Sequence, residues 1–93
     1  MQFWKPVEWD SAKDELLRER RGVSFGDVVA AVTEGDLIDI TPHPNQKRYP
    51  HQRMFIVTIR SYVYNVPFVE DEKKIFFKTI IPDSDATKRY LLK

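Results

Sequence analysis

The stretch Tyr62–Leu92, YVYNVPFVEDEKKIFFKTIIPDSDATKRYLL, decides the fold. Tyr62 to Val69 is rich in aromatic and β-branched residues and reads as a strand, with Pro67 near its end implying an edge position or a bulge. Glu70 to Lys73 reads as a charged turn, and Lys74 to Ile81 as the next strand, which Pro82 closes. Asp83 or Ser84 then caps a last, basic helix through Leu92, because a short side-chain oxygen there accepts from the first free helical N–H groups.

Upstream, Met54 to Ile59 is another strand, joined to Tyr62 by a tight reversal at Arg60-Ser61 that lacks the usual Asn-Gly chemistry. Pro42, Pro44, Asn45 and Pro50 keep the preceding segment in a loop, and Leu37 to Thr41 alternates apolar and polar residues as a first strand. Ser24 with Asp27 makes a capping box, and Phe25, Val28, Val29 and Val32 follow at helical spacing until Gly35. Asp10 or Ser11 caps an earlier helix that stops at Gly22, with Ala12, Leu16 and Leu17 as a narrow apolar stripe. Phe3 to Trp9 is an aromatic lead-in broken by Pro6. The expectation is an α+β domain: two N-terminal helices, a curled antiparallel sheet of about four strands and a C-terminal helix.

The 93 residues make one domain, 1–93, and a composition 42% hydrophobic and 31% charged is that of a globular chain with a thin core. Without cysteine there is no disulfide framework and no thiolate metal site, which fits a reducing cytoplasm. The apolar runs fall far short of the roughly 18 residues of a membrane span, and MQFWKPVEWD is unlike a secretory signal, so a cytoplasmic protein without a membrane partner is expected. Net charge is only +1, so any nucleic-acid site must come from local clusters. Those clusters are Arg18, Arg20 and Arg21; Lys47 to Arg53; and Lys88, Arg89 and Lys93. Acids gather instead at Glu34 to Asp39 and at Glu70 to Glu72.

Glu8-Trp9-Asp10 with Lys13, followed by Arg21-Gly22-Val23-Ser24-Phe25, resembles the opening of the BrnT family of bacterial toxins, F-x-W-D-x-x-K and then H-G-V-S-F. Thr79-Ile80-Ile81-Pro82-Asp83-Ser84-Asp85-Ala86-Thr87 is similar to that family's I-I-S-A-R-x-A-T segment. The resemblance implies a RelE-like ribonuclease fold and the toxin of a type II toxin–antitoxin pair. Such a toxin cleaves RNA without metal, in some cases on the ribosome, and arrests translation. It also implies a cognate antitoxin, often a ribbon-helix-helix protein, through which alone DNA is reached. Two positions depart from the pattern: Arg21 replaces the His before Gly, and Ser84, between Asp83 and Asp85, falls where the family has Arg.

Metal-independent RNA cleavage needs a base at the 2′-hydroxyl, a cation at the phosphorane and an acid at the leaving 5′-oxygen. Arg53, which matches an arginine of the family pattern, is the first candidate for phosphate, since guanidinium engages two oxygens at once; otherwise it is a solvated strand-end residue or a partner contact. Lys78 stands inside an apolar strand and either lines an RNA-facing surface or sits on the solvated sheet face. His51, two residues from Arg53, is preferred to His43 for proton transfer, although loop histidines are more often bystanders. Lys47, Arg48 and Tyr49 combine charge with a ring that can stack on a base, and Lys88 and Arg89 offer backbone contacts from the last helix. Tyr90 is expected to pack inward with Ala86, Tyr62, Tyr64 and Phe68 to form core, and Glu70-Asp71-Glu72 to be a solvated turn. No metal motif, Gly-rich phosphate loop, Ser-His-Asp order or nucleotide fingerprint is present, so no metal or cofactor is expected.

Two other readings share these residues. A non-catalytic module of the double-stranded-RNA-binding kind needs a firmly basic start to the last helix, and Asp83-Ser84-Asp85 disfavours it. A toxin-derived protein that binds an antitoxin without cleaving RNA fits the replacement at Ser84.

Overall fold

The computed structural model describes residues 1–92. Their order is β1 (Val7–Glu8), α1 (Ser11–Arg21), α2 (Phe25–Thr33), β2 (Leu37–Pro42), β3 (Arg53–Ile59), β4 (Tyr62–Glu70), β5 (Ile75–Phe77), β6 (Ile81–Pro82) and α3 (Ser84–Leu91). The α+β class and the three helices stand. The sheet departs from the expected four antiparallel strands. It has six, in the order β1-β5-β4-β3-β2 with β6 also on β4, and it is mixed because β1 runs parallel to β5. The aromatic lead-in carries no strand signal, yet Pro6 offers its carbonyl to the Ile75 N–H at 2.9 Å and fixes that register.

The expected strand over Lys74 to Ile81 is two short strands. β5 pairs with Phe68–Glu70 and β6 with Tyr64–Asn65, leaving a break opposite Val66 and Pro67. Pro67 explains it. Within a strand, a residue's N and C=O point to the same side, and the Pro67 carbonyl accepts from Lys78 at 2.8 Å. The missing N–H of Pro67 therefore faces the gap, so proline sits inside a central strand without orphaning a partner there. The inferred edge or bulge at Pro67 is not what accommodates it.

The sheet has two covered faces. Phe55, Val57 and Ile59 of β3 with Val66 and Phe68 of β4 pack against Leu17, Phe25, Val28 and Val32 of the first two helices. Met54, Ile56 and Val63 face the other way and meet Ala86 of α3. Phe3, Trp4 and Trp9 of the N-terminal segment close the first face, with Phe3 edge-on to Phe55 at 5.5 Å and Trp9 stacked on Phe77 at 6.1 Å. Phe68 is buried and Tyr64 packs on this core, as the strand alternation predicts, whereas Tyr62 is only half-buried and rests on the Tyr64 ring outside the core.

The helix ends follow from capping. Asp10 accepts from Ala12 N–H, and Gly22 at φ 66° ends α1 in the left-handed conformation that glycine adopts without a Cβ clash. Ser24 and Asp27 form both halves of the capping box of α2. The apolar stripe of α1 is not the expected one: Leu17 and Asp14 are buried, while Ala12 and Leu16 are exposed. Asp14 is inside because its Oδ1 accepts the Phe25 N–H at 2.7 Å, locking α1 to the start of α2. Arg60 and Ser61 make the expected reversal with φ of 48° and 65°. That left-handed pair matches the twist of the flanking strands. Arg60 offsets its strain by donating to the Gly22 carbonyl and lying 3.4 Å from Asp27.

Candidate nucleic-acid interface

The residues singled out for RNA chemistry line three separate hollows. The largest, about 450 Å³, is bordered by Lys5, His51, Arg53, Phe68 and the acids Glu70, Asp71 and Glu72. Arg53 heads β3 on the face that the N-terminal segment covers. Its guanidinium lies 2.6 Å from the Glu70 carboxylate and 5.1 Å from the centre of the Phe68 ring. Glu70 also takes the Lys5 ammonium at 2.8 Å and the Trp4 indole N–H at 2.8 Å. These bonds, Lys5 foremost and Trp4 next, hold the Glu70 carboxyl below the usual carboxylate range. Glu70 is thus a hub rather than a solvated turn residue; Asp71 forms the turn itself, accepting the N–H groups of Lys73 and Lys74, which lower its own pKa. His51 is exposed and shares the hollow with Arg53, so the sequence pairing of these two holds in space.

Lys78 is elsewhere. It lies in the break between β5 and β6, exposed, its ammonium 5.7 Å from the centre of the Phe76 ring. It borders a second hollow of about 280 Å³ with Lys13, His43, Tyr49, Gln52, Pro67, Thr79 and Ile81. Two lysines and a histidine are among the residues that line this space, and no Asp or Glu is. The loop before β3 builds its rim. Tyr49 N–H donates to Asn45 O, His43 N–H to Gln52 O, and the Tyr49 and His43 rings meet at 4.5 Å. Arg48 places its guanidinium 5.5 Å from the centre of the Tyr49 ring, and Lys47 is exposed beside it. His43 Nδ1 accepts the Asn45 N–H at 3.0 Å, which assigns the proton of the neutral ring to Nε2.

A third hollow of about 270 Å³ lies between the sheet and α3, lined by Asp39, Thr41, Met54, Ile56, Asn65, Asp83, Arg89 and Tyr90 among others. Arg89 and Lys88 are both exposed. Tyr90 is exposed rather than packed inward, because the buried side chains of α3 are Ala86 and Thr87. Asp83 caps α3 through Ala86 N–H and accepts from Asn65 Nδ2 at 2.9 Å. Those bonds, Ala86 first, hold its pKa low. Asn65 Oδ1 is buried without a partner among the described residues.

Arg53 and His51 therefore share one hollow, Lys78 and Tyr49 another, and Arg89 a third. Lys13 and His43 line the hollow of Lys78, a grouping that the sequence does not signal. Only the fold brings the first turns of α1 to the β5–β6 break, and no spacing in the chain signals it. Of the two departures from the resembled motif, only Arg21 has a side-chain hydrogen-bond partner among the described residues. Arg21 donates to the Ile80 carbonyl, and Ser84 is the first residue of α3 behind its cap Asp83. Lys93, the last cation of the terminal cluster, lies outside the described residues. Among the described residues no group of three or more His, Cys, Asp or Glu side chains is gathered to hold a metal ion, and no helix is long and apolar enough to cross a membrane.

Compared with protein-family models, curated proteins and solved structures, the chain has no significant match to any.

Proposed function

We propose that this protein is an RNA-cleaving toxin of the BrnT-like kind that engages single-stranded RNA backbone at the hollow between Lys13, His43 and Lys78. The observation that carries the reading is the charge of that hollow: cations and an imidazole without a carboxylate, in a chain whose net charge is only +1. Phosphate is drawn to such a place and is repelled from the Arg53 hollow, where three acids answer the cations. Arg48, Lys47 and Tyr49 extend the cationic rim with a ring for an unstacked base.

In the reaction the 2′-oxygen attacks phosphorus, the bond to the 5′-oxygen breaks, and a 2′,3′-cyclic phosphate and a 5′-hydroxyl result. Lys78 and Lys13 stabilise charge on the non-bridging oxygens, and His43 Nε2–H adds a hydrogen bond to one of them. With Nδ1 accepting the Asn45 N–H, His43 serves as a donor rather than as the base, and both proton transfers run through solvent. The partner that the resemblance implies is an antitoxin, through which alone DNA is reached.

That same lack of a free base favours a second reading, a toxin-derived protein that binds RNA or an antitoxin without turnover. Expression of the chain alone, with growth followed and RNA ends mapped, separates the two. Arrest with discrete new 5′-hydroxyl ends, lost in Lys78→Ala, supports the ribonuclease. Normal growth and intact RNA from soluble, folded protein support the binding protein.

A further inference from the structure

We propose that the hollow beside α3 is a guanine subsite for the RNA strand whose backbone crosses the Lys78 hollow; the inference rests on the RNA reading above. The two hollows adjoin along β4 and the loop before β3. Asn65 borders the α3 hollow and Pro67 the Lys78 hollow, two residues apart on β4 and so roughly 7 Å along the strand. Pro44 and His43 border them from the loop side. One nucleotide spans that step, with its phosphate at Lys78 and its base beside α3.

The α3 hollow sorts base from phosphate by charge. It holds Asp39 and Asp83, which repel phosphate, whereas its neighbour has no acid. Both oxygens of Asp83 are engaged, one by Ala86 N–H and the other by Asn65 Nδ2. Asp39 is exposed, takes only the Ile40 N–H on Oδ1, and forms no ion pair among the described residues. Arg89 borders the same space with no ion pair within 4 Å among the described residues, its charge acting on Asp83 and its guanidinium 5.6 Å from the centre of the Tyr90 ring. A carboxylate and a guanidinium that share a hollow without pairing suit a ligand that carries donors on one edge and acceptors on another.

Guanine is the base that does so. Its N1–H and N2 amino group stand side by side and meet a carboxylate, while O6 and N7 accept a bidentate guanidinium. Adenine and cytosine set a ring acceptor beside their single amino group, and uracil has one N–H between two carbonyls; each turns a lone pair toward Asp39. Met54 and Ile56 supply an apolar floor and Tyr90, 42% exposed, a ring for stacking. The space is below the roughly 300–1,000 Å³ of pockets for drug-sized ligands, which suits one ring system.

The test uses fluorescein-labelled 2′-O-methyl hexauridylate, which cannot be cleaved by 2′-hydroxyl attack, and the same hexamer with one central guanine, adenine or cytosine. By anisotropy the guanine hexamer binds about tenfold tighter than the other three, and in Asp39→Asn and Arg89→Gln the preference shrinks to about twofold or less. Equal binding of all four hexamers, or of guanine and adenine, overturns the guanine subsite and leaves the backbone reading standing. A wild-type preference for guanine that both variants keep also overturns this placement. Failure of every hexamer to bind overturns both.

Discussion

The Arg53 guanidinium lies 2.6 Å from the Glu70 carboxylate and stacks 5.1 Å over the centre of the Phe68 ring, at the open end of the β3–β4 pair. The same carboxylate receives Lys5 and Trp4, so one acid fastens the N-terminal segment to the sheet. Phosphate at Arg53 would have to displace a carboxylate already held in place by three partners. At Lys78 no such competitor is present among the described residues, and this difference moves the candidate RNA site to the other hollow.

Glu70 gives a pH signature. Its carboxyl is held below the ordinary range by Lys5 and Trp4, so its bonds contribute fully above the unfolded value, about 4.3. That contribution is lost as pH falls through the lower folded value. The thermal midpoint of Glu70→Gln, followed by circular dichroism from pH 7 to 3, should be below wild type at neutral pH and decline less on acidification. Parallel declines would remove Glu70 from the acid limb.

Asp14 is a buried acceptor that joins two helices. Asp14→Ala leaves the Phe25 N–H without its bond and should cost about 1–3 kcal/mol in urea unfolding. Arg18→Ala, which removes only the exposed partner 3.2 Å from Asp14, should cost no more than about 0.5 kcal/mol. Equal losses would contradict this ordering.

Thr87 ties α3 to the sheet: its hydroxyl accepts the buried Val63 N–H at 2.9 Å and donates to the Asp83 carbonyl at 2.8 Å. Thr87→Val keeps the shape but orphans that N–H, and should destabilise by about 1–3 kcal/mol. Hydrogen exchange should show Val63 losing protection before the centre of β3 does. Unchanged exchange at Val63 would contradict the role.

The helices were legible because their signals are local. Ser24 and Asp27 cap across three residues, Gly22 supplies the left-handed end, and the period of Phe25, Val28 and Val32 marks one face. β1 was not, because two residues carry no period and pair only with a partner more than sixty residues away, as Val7 does with Ile75. The split at Lys78 was hidden for a related reason, since it answers Pro67 on the neighbouring strand. Burial of Asp14 ran against composition, as one backbone N–H outweighed the usual exclusion of charge. At the site, His51 beside Arg53 followed from spacing, whereas Lys13 beside Lys78 is a product of topology alone.

The proposed RNA backbone site is the Lys78 hollow rather than the Arg53 hollow. The most direct measurement is the affinity of the 2′-O-methyl hexauridylate across a salt series for wild type, Lys78→Ala and Arg53→Ala, each checked for folding. Neutralising one phosphate fewer, Lys78→Ala should bind more weakly and lower the slope of log K against log salt by about 0.7, while folded Arg53→Ala keeps the wild-type slope. A smaller slope in Arg53→Ala, with Lys78→Ala unchanged, would contradict the account and return the site to the Glu70 hub.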